Sequence, residues 1–479
     1  MKPLDKFISD EIPQYYYYIF GFITAFFILF YVHYSFTAWF IQDDIGFLYT
    51  FYKNLAWENF FSFNTLYRFL SINLYWHYLY KFFGNTATLY FITNLLILCA
   101  NTIILFFFIR GLCKDTAIAV VAGIIYFIMP PTIKNITWIC NNQHLFSHFF
   151  AFLFLHIYFN KGVIDDLNIK KGVILTILLG CTLISNFLAA FIIPSLIIYH
   201  ILYFKEIKLK KINILFLIFW VFLFTAFVIA SKYLVGMLRS PEYGIDLSLA
   251  TFIKTLQSYS YHIYKNLPIL IISIILIFAI GIIKKDKLII FFISSSLCFY
   301  MPYAFAVFQR NANYLAISYL FYCTGIILIL KKHIRMPILI LLFVLYNFIN
   351  THHMVREFSE NPAGDRVRTF ITQMKDEYYK KELYKYEKIY FKTDEPINYK
   401  TGIAAIDENN TPLFWRRLSS GYALKLFLDH QLDYLAVYYG EKAPADFPLF
   451  IVSKDLFRQE DIGVKRVVMP EKGARKESR

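Results

Sequence analysis

Charged side chains are scarce in this chain of 479 residues. Asp, Glu, Lys and Arg together make up 17% of it, whereas hydrophobic residues make up 58% and aromatic residues 20%. A water-soluble protein of this length carries a larger charged fraction. The composition therefore excludes a soluble globular protein and predicts an integral membrane protein.

Cysteine is also sparse, and its distribution excludes two kinds of site. The six cysteines all precede residue 351, mostly within apolar runs, and none is spaced as CxxC or with histidines in a metal-binding pattern. Residues 351–479 contain no cysteine, so this segment is not a disulfide-stapled domain.

The positive net charge of +15 lies in the apolar part of the chain. Residues 1–350 hold 26 Lys and Arg against 13 Asp and Glu, whereas residues 351–479 hold 22 against 20. The excess forms short clusters between apolar runs, as in KEIKLKK from residue 205 and KKDK from residue 284. Such clusters are typical of loops that stay on the cytoplasmic side of a membrane. The basic charge therefore indicates topology and gives no support for a nucleic-acid partner.

Apolar runs of membrane-spanning length recur between Tyr15 and Asn350. Each span must be a helix, because its backbone polar groups find no water in the lipid. Because the basic clusters all stay on the cytoplasmic side, the chain must cross the membrane an even number of times between any two of them. This condition predicts an all-α bundle of eleven transmembrane helices, with the N-terminus inside and the C-terminus outside. The first run has no small-residue cleavage site, so it is interpreted as a retained span. The predicted spans are 15–39, 86–109, 115–130, 144–160, 172–186, 188–204, 212–231, 266–283, 288–306, 314–330 and 336–350.

Two outer segments do not follow the pattern of a span or a polar loop. Residues 45–85 are amphipathic and rich in aromatic residues, which predicts helices lying in the membrane interface. Residues 351–479 have a soluble composition, in which the strand-like runs KIYFK, DYLAVYY, PLFIVS and VKRVVM alternate with helix-like runs. The sequence thus predicts a membrane module, 1–350, followed by a small extracytoplasmic α/β domain, 351–479.

Few acidic residues are predicted on the outer face. Asp43 and Asp44 directly follow the apolar run FTAWFI. Carboxylates that are partly desolvated at a membrane interface are costly, and they are therefore candidates for function. The alternative is a solvated helix end that only marks where the first span stops.

Outer-face cations are candidates for binding a phosphate, for which arginine offers a planar fork of donors. Arg310, between two apolar runs in VFQRNANYL, suits a phosphate contact and an interfacial anchor equally well. His144 and His148 share one helix face, but no third metal ligand is evident, and polar residues at headgroup level are the simpler interpretation. The weaker candidates for substrate contact are Arg68, Lys134, His144 and Arg239.

The order of these features resembles the GT-C superfamily of membrane glycosyltransferases, which take a sugar from a polyprenyl-phosphate donor on the non-cytoplasmic side. In that superfamily an acid or acid pair follows the first span and two interfacial helices come next, as QDDIGFL and residues 45–85 do here. The similarity is more detailed to the branch that contains the tetratricopeptide-linked O-mannosyltransferases and bacterial sugar transferases.

Four motifs carry the more detailed resemblance. YRFLSINLYWHYLYKFFGNTATLYFITNLLI resembles the second interfacial helix and following span of that branch, with Phe69 where proline is typical. ITWICNNQH resembles its tryptophan-containing outer loop. LISNFLAA corresponds to a Ser-Lys-Glu turn, with Asn186 and Phe187 replacing Lys and Glu. FQRNANYL corresponds to an Arg-Tyr element in which Arg310 is separated from Tyr314.

The resemblance implies an enzyme that moves a sugar from polyprenyl phosphate to a surface glycan or lipid acceptor. Glucose, as in serotype-converting glucosyltransferases, is the candidate sugar, and a bacterial cytoplasmic (inner) membrane is the implied location. Asp43 or Asp44 would accept the proton of the acceptor hydroxyl, and the phosphate would contact Arg310. A divalent cation would suit the acid pair, but two acids without further ligands do not require one. The further substrate contacts implied are Arg68, Lys134, His144, Arg239 and Tyr314.

Three other functions remain open from the sequence. One is a lipid-linked glycan flippase or another transporter, and another is a polysaccharide polymerase. The third is a structural or assembly protein that uses residues 351–479 as a binding module. Transporters usually place ionisable residues inside their spans, often at broken helices. The spans predicted here have almost no internal charges, which favours the enzyme.

Overall fold

The structure is a computed structural model of the whole chain. It divides into two compact units, one formed by 1–33, 59–75 and 91–355, the other by 34–58, 76–90 and 356–479. The residues that it describes are 15–37, 40, 44–45, 47–48, 68–159, 167–204, 211–234, 248–263, 267–304, 312–331, 333–334, 338, 341–347, 349, 363–385, 389–393, 435–437, 448–452 and 464–468.

Most described residues before position 351 are helical, as their long apolar runs require. Short 3-10 turns at Ile139–Asn141, Phe187–Phe191 and Ala312–Leu315 and a π-helical turn at Phe69–Leu74 interrupt or precede the α-helices. The helices are α1 (Tyr15–Thr37), α2 (Tyr75–Phe83), α3 (Ala87–Cys113), α4 (Thr116–Ile128), α5 (Pro130–Thr137), α6 (Asn142–Phe159), α7 (Ile169–Asn186), α8 (Ile192–Leu202), α9 (Lys211–Leu234), α10 (Leu249–Ile263), α11 (Leu267–Ile283), α12 (Lys287–Ala304) and α13 (Ala316–Leu330).

Several of these helices are suited to a membrane. Within the described residues, five segments are long and apolar enough to cross one, and a bent pair of helices would make a sixth. The prediction of apolar helices that are long enough to span a membrane is therefore confirmed, whereas the count of eleven spans stays a prediction. The five segments are Ala87–Cys113, Ile169–Asn186, Lys211–Ala230, Lys287–Ala304 and Asn313–Leu330.

The bent pair consists of α4 and α5, whose axes meet at 51°. Met129 separates them in an extended conformation, with φ −69° and ψ 145°. A residue before proline is pushed out of the helical region by the proline ring, and Pro130 then begins the next helix, where its missing N–H costs little. The dipeptide Pro130–Pro131 therefore explains the bend.

Helix α10 lies between the predicted spans 212–231 and 266–283, in a segment for which the sequence predicts an outer loop and no helix. Its sequence is polar enough to resemble a loop, yet one face is apolar. Phe252 and Leu256, four residues apart, pack against a buried cluster that includes Tyr300 and Leu315. The helix exists because this face has a partner, which the local sequence does not show.

Helices α12 and α13 approach closely at a glycine. A Cβ atom added to Gly325 in α13 would lie 2.8 Å from Cδ1 and 3.2 Å from Cγ1 of Ile293 in α12. Small residues at such contacts let two helix backbones come together, which is a main source of attraction between helices in lipid.

We expect Gly325→Leu to destabilise the bundle by about 1–3 kcal/mol, because the added side chain overpacks the contact with Ile293. The melting temperature of the purified protein in detergent, followed by size-exclusion chromatography after heating, measures this effect. Gly180→Leu in α7 is the matched control, since a Cβ atom there meets nothing within 4 Å. An equal loss of stability in both variants would mean that the added side chain is unfavourable at either position and that the contact with Ile293 is not the cause.

The C-terminal segment contains one α-helix, a 3-10 turn at Leu383–Lys385 and four short strands among its described residues. Helix α14 (Ala363–Lys380) buries Phe370, Met374 and Tyr378 along one face and packs against the last strand. The sheet has the order β2-β1-β3-β4, with β1 parallel to both of its neighbours and β4 antiparallel to β3. The strands are β1 (Ile389–Thr393), β2 (Leu435–Val437), β3 (Leu449–Val452) and β4 (Val464–Val468).

These four strands lie on the four strand-like runs of the sequence. The β-branched and aromatic content of those runs suits a pleated, half-buried surface. The assignment of all of residues 351–479 to a separate α/β domain stays a prediction, because most of its residues lie outside the described ranges.

Candidate functional site

Four segments that are far apart in the sequence meet at one end of the bundle. The π-helical turn Phe69–Leu74 contacts the start of α6 and the end of α7, and the turn Phe187–Phe191 contacts α6 and α12. The turn Ala312–Leu315 contacts α5 and α12. We call the polar residues there the polar junction, which comprises Arg68, Ser71, Asn142, His144, Ser147, His148, Ser185, Asn186, Asn313 and Tyr314.

Backbone carbonyls at the junction are bound by neighbouring side chains. Ser71 donates its hydroxyl to the carbonyl of Ser185 at 2.8 Å, and Asn142 donates its amide to the carbonyl of Ser71 at 3.0 Å. The π-helical turn is thereby tied to both α6 and α7. Because buried carbonyls without partners are costly, these bonds favour one arrangement of the three segments.

Asn186 ends α7 and begins the next turn. Its backbone is extended, with φ −166° and ψ 111°, and its side-chain oxygen accepts the amide N–H of Leu188 at 3.2 Å. This is the geometry of an N-cap, which asparagine favours. The carbonyl of Asn186 also accepts the hydroxyl of Ser147 at 2.6 Å.

His144 lies between two amides in the centre of the junction. Its Nδ1 atom is 3.3 Å from Nδ2 of Asn186, and its Nε2 atom is 3.3 Å from Nδ2 of Asn313. The ring of Tyr314 lies edge-on to it, with centroids 5.3 Å apart, and Tyr303 stacks on Tyr314. The imidazole is buried and held on both sides.

His148, one turn further along α6, belongs to a second chain of hydrogen bonds. Its Nδ1 atom is 2.9 Å from the hydroxyl of Tyr126. Asn101 donates its amide to the same hydroxyl at 3.3 Å and to the carbonyl of Leu145 at 2.8 Å. The two histidine rings are 6.4 Å apart. The buried polar groups of α3, α4 and α6 are thus linked into the junction.

A small cavity lies between the two histidines. Its volume of about 10 Å³ has room for about one water-sized atom. Its lining residues include His144, Ser147, His148, Tyr303 and Tyr314. Among the residues that the structure describes, no third His, Cys, Asp or Glu joins the histidine pair, so this part of the chain offers it no further metal ligand.

The structure brings three of the predicted site residues together. The carbonyl of Arg68 accepts the hydroxyl of Ser71 at 3.4 Å, which places Arg68 at the turn bound by Asn142 at the start of α6. Tyr314 contacts the ring of His144 in the same helix. Lys134 lies in α5, which packs on the turn that carries Tyr314. Three further candidates lie outside the described residues: Asp43, Arg239 and Arg310.

Asp44 belongs to the second compact unit and is fully buried. Its sequence neighbours Phe40, Ile45 and Leu48 are buried too. The aromatic rings of this region pack in a chain, with Phe40 on Tyr90 at 5.3 Å, Tyr90 on Trp76 at 5.3 Å and Trp76 on Phe47 at 5.5 Å. A solvated helix end therefore does not describe Asp44.

The sequence analysis does not predict the uncharged members of the junction or of the second chain of hydrogen bonds. Neutral amides and hydroxyls, which carry no charge pattern, make most of these hydrogen bonds. Their signal was present, because an amide inside an apolar helix such as Asn101 must find a partner when the helix is buried. The missed residues are Ser71, Asn101, Tyr126, Asn142, Ser147, Ser185 and Asn313.

Comparison with known proteins gives no relative on which to base a function. No protein-family model, curated protein or solved structure matches the chain. The functional conclusion therefore rests on the residues of this chain.

Proposed function

We propose that the chain is a membrane glycosyltransferase that moves a hexose from a polyprenyl-phosphate donor to a glycan or lipid acceptor on the outer face of the membrane. The observation that carries this proposal is the complete burial of Asp44, directly after the first apolar helix. Burying a carboxylate costs several kcal/mol before any compensation. A chain with so few acids retains such a group where chemistry requires it.

In the proposed reaction Asp44 is the general base. The acceptor hydroxyl oxygen attacks the anomeric carbon, and its proton passes to the carboxylate of Asp44. The bond between the anomeric carbon and the phosphate oxygen breaks, and its electron pair leaves with polyprenyl phosphate. Asp43 would orient the acceptor or hold a divalent cation, and the two acids exchange roles if Asp43 is the base.

The leaving phosphate gains negative charge, so it needs cations or N–H donors around it. We assign this contact first to Arg310, with Arg68, Lys134, His144, Arg239 and Tyr314 as further substrate contacts. Support for the set comes from the polar junction, to which Arg68, His144 and Tyr314 all belong although up to 246 positions separate them in the sequence.

The proposed architecture is GT-C-like. It has eleven spans, interfacial helices in 45–85 and an extracytoplasmic α/β domain in 351–479, and it lies in a bacterial inner membrane with the N-terminus inside. Described helical residues fall within every one of the eleven predicted spans, which supports this count. The basic clusters between spans support the orientation.

Comparing the surface glycans of cells with and without the chain tests the proposal. Mass spectrometry should show glycans that are lighter by one hexose per acceptor unit when the chain is absent, with polymer length unchanged. An identical glycan profile in the two strains would contradict the proposed transfer.

The bend between α4 and α5 supports a second candidate, a lipid-linked glycan flippase. Broken helices at membrane depth are typical of transporters, because they expose backbone groups to a substrate. The same measurement separates the two functions, since a flippase would be needed for export of the entire polymer. A polymerase would instead change chain length and leave the repeat unit intact.

A further inference from the structure

A second cavity lies between α10, α11, α12 and α13. Its volume of about 350 Å³ is in the range of pockets that hold small ligands, about 300–1,000 Å³. Its floor is buried, since Leu315 and Tyr319 are 2% and 4% exposed, whereas Ile275 and Met301 at its rim are 61% and 51% exposed. We call it the side cavity. It shares no lining residue with the small cavity between the histidines.

The rim of the side cavity continues into an apolar outer surface. Ile271 and Ile275 of α11 line the cavity and are themselves exposed. Every other exposed residue of α11 is apolar as well, including Ile272 and Ile282. A helix with such a surface is suited to contact lipid, where the hydrocarbon of the bilayer is its solvent. Lipid hydrocarbon therefore reaches the rim of the cavity.

Polar residues in the cavity wall already bond to the protein. Ser296 of α12 and Ser318 of α13 each donate a hydroxyl to the backbone carbonyl of the other, at 2.7 Å and 2.8 Å. The hydroxyls of Tyr319 and Tyr322 bond other side chains of the bundle at 3.2 Å and 2.6 Å. These four residues hold the helices together. A sugar or another polar ligand would lose its hydrogen bonds to water here with little in return, whereas a hydrocarbon loses none.

The contents of the side cavity follow from its position and its lining. An empty apolar cavity of this size is unfavourable, because the atoms that line it lose their packing partners. Water is a poor filling, since it needs several polar partners. Acyl chains of bilayer lipids surround the rim at all times, whereas a polyprenyl chain is present only with its substrate. An acyl chain is therefore the hydrocarbon best placed to enter.

One wall of the side cavity also supports the polar junction. Tyr300 and Leu315 line the cavity and belong to a buried cluster with Tyr303. Tyr314 and Leu188, on the junction side, pack against this cluster, and the ring of Tyr303 stacks on that of Tyr314 at 4.8 Å. A chain in the cavity would thus fill the space behind residues that hold the junction in place.

We propose that the side cavity binds one acyl chain of a bilayer phospholipid, which enters from the lipid-facing side of α11 and α12. The chain fills the space between these helices, α10 and α13, and it stabilises the wall that the cavity shares with the polar junction. This site does not depend on sugar transfer, because it requires only the apolar lining and the lipid at its rim.

Photolabelling of the purified full chain in phospholipid nanodiscs tests the site. The probe is a phosphatidylglycerol that carries a diazirine near the end of one acyl chain, and mass spectrometry of peptides locates the label. We expect label on the floor residues Leu315 and Tyr319, which a lipid that only surrounds the bundle does not reach. Label confined to exposed residues such as Ile272 and Ile282 would overturn the proposal.

Ile274→Trp should abolish label on the floor of the cavity, because the indole occupies the space of the acyl chain. Ile272→Trp is the matched control. Ile272 lies in the same helix and is 55% exposed, but it does not line the cavity, so its replacement should leave the floor label unchanged. Melting temperatures show whether each variant is folded. Where Ile274→Trp does not fold, Leu297→Trp closes the rim from α12 and should have the same effect.

Competition identifies the kind of chain. Excess farnesyl phosphate, which carries a short polyprenyl chain, should leave the floor label unchanged. Its loss on addition of farnesyl phosphate would show a polyprenyl site and would overturn the proposal. So would an unchanged floor label in the folded cavity variants.

Stability measures the support that the acyl chain gives. Adding phosphatidylglycerol to the delipidated chain in detergent should raise the melting temperature of the natural chain and of Ile272→Trp, since a ligand of the folded state stabilises it. The rise should be smaller in Ile274→Trp, where the cavity is already filled. An equal rise in all three proteins would show that the lipid acts only on the outer surface, which contradicts the stabilising role.

Discussion

Replacing Asp44 with asparagine is expected to lower the rate of hexose transfer by about 10²–10⁴-fold, the usual contribution of a general base. Asparagine has nearly the same shape but cannot accept the proton of the acceptor hydroxyl. The affinity for the donor should change little, because the carboxylate acts on the acceptor. Transfer in isolated membranes supplied with a polyprenyl-phosphate sugar, at matched protein levels, measures the rate.

Asp286→Asn is the control for this variant. Asp286 accepts the amide N–H of Ile289 at the start of α12, and asparagine caps a helix about as well as aspartate. Its rate should equal that of the natural chain. The variant Asp43→Asn determines which acid is the base, since only the base should show the full loss. Undiminished transfer in both Asp43→Asn and Asp44→Asn would remove the acid pair from the mechanism.

Asn186→Leu is expected to destabilise the protein by about 2–5 kcal/mol and to weaken donor binding with it. The substitution keeps the size of the side chain but leaves the N–H of Leu188 and Nδ1 of His144 without their partner. Each buried polar group left unsatisfied costs about 1–3 kcal/mol. His144, a proposed substrate contact, then keeps its contacts with Asn313 and Tyr314 but loses that with Asn186, and it is less firmly placed for the donor.

Thermal unfolding in detergent measures the loss of stability in Asn186→Leu. The Kd of farnesyl phosphate, a short polyprenyl phosphate, measures the loss of donor binding. Asn168→Leu, at the opposite end of α7, is the control. Asn168 is exposed and caps the helix by one bond to the N–H of Lys171, so its loss should cost about 1 kcal/mol and leave the Kd unchanged. Equal destabilisation by the two substitutions would show that the junction bonds of Asn186 contribute no more than an ordinary cap.

The positions of the helices could be predicted from the sequence because each depends on local properties. Helix α3 follows from an apolar run bounded by the Gly84–Asn85 pair and by the basic cluster that begins at Arg110. Helix α10 shows where this fails. The apolar residues of α10 are too few to identify it as a helix from the sequence. Phe252 and Leu256 stabilise it by packing on the buried cluster that includes Tyr300 and Leu315.

The candidate site could be predicted only in part. The expected outer placement and residue type indicated Arg68 and His144, and the resemblance implied Tyr314. It could not show that His144 is held between Asn186 and Asn313, because these residues are 42 and 169 positions away. Nor could it show that Asp44 is buried among residues such as Phe40 and Phe47, whose rings pack on Tyr90 and Trp76 of a separate segment.

The sequence by itself therefore determined which segments are apolar helices, where basic loops separate them and how few acids remain for chemistry. The tertiary structure decided which faces of those helices meet and which polar groups pair. The reason is physical. Lipid is as apolar as a protein interior, so hydrophobicity places a helix in the membrane without choosing its neighbours. That choice depends on close contacts such as Gly325 with Ile293 and on hydrogen bonds such as Ser71 with Ser185, which exist only once the helices have packed.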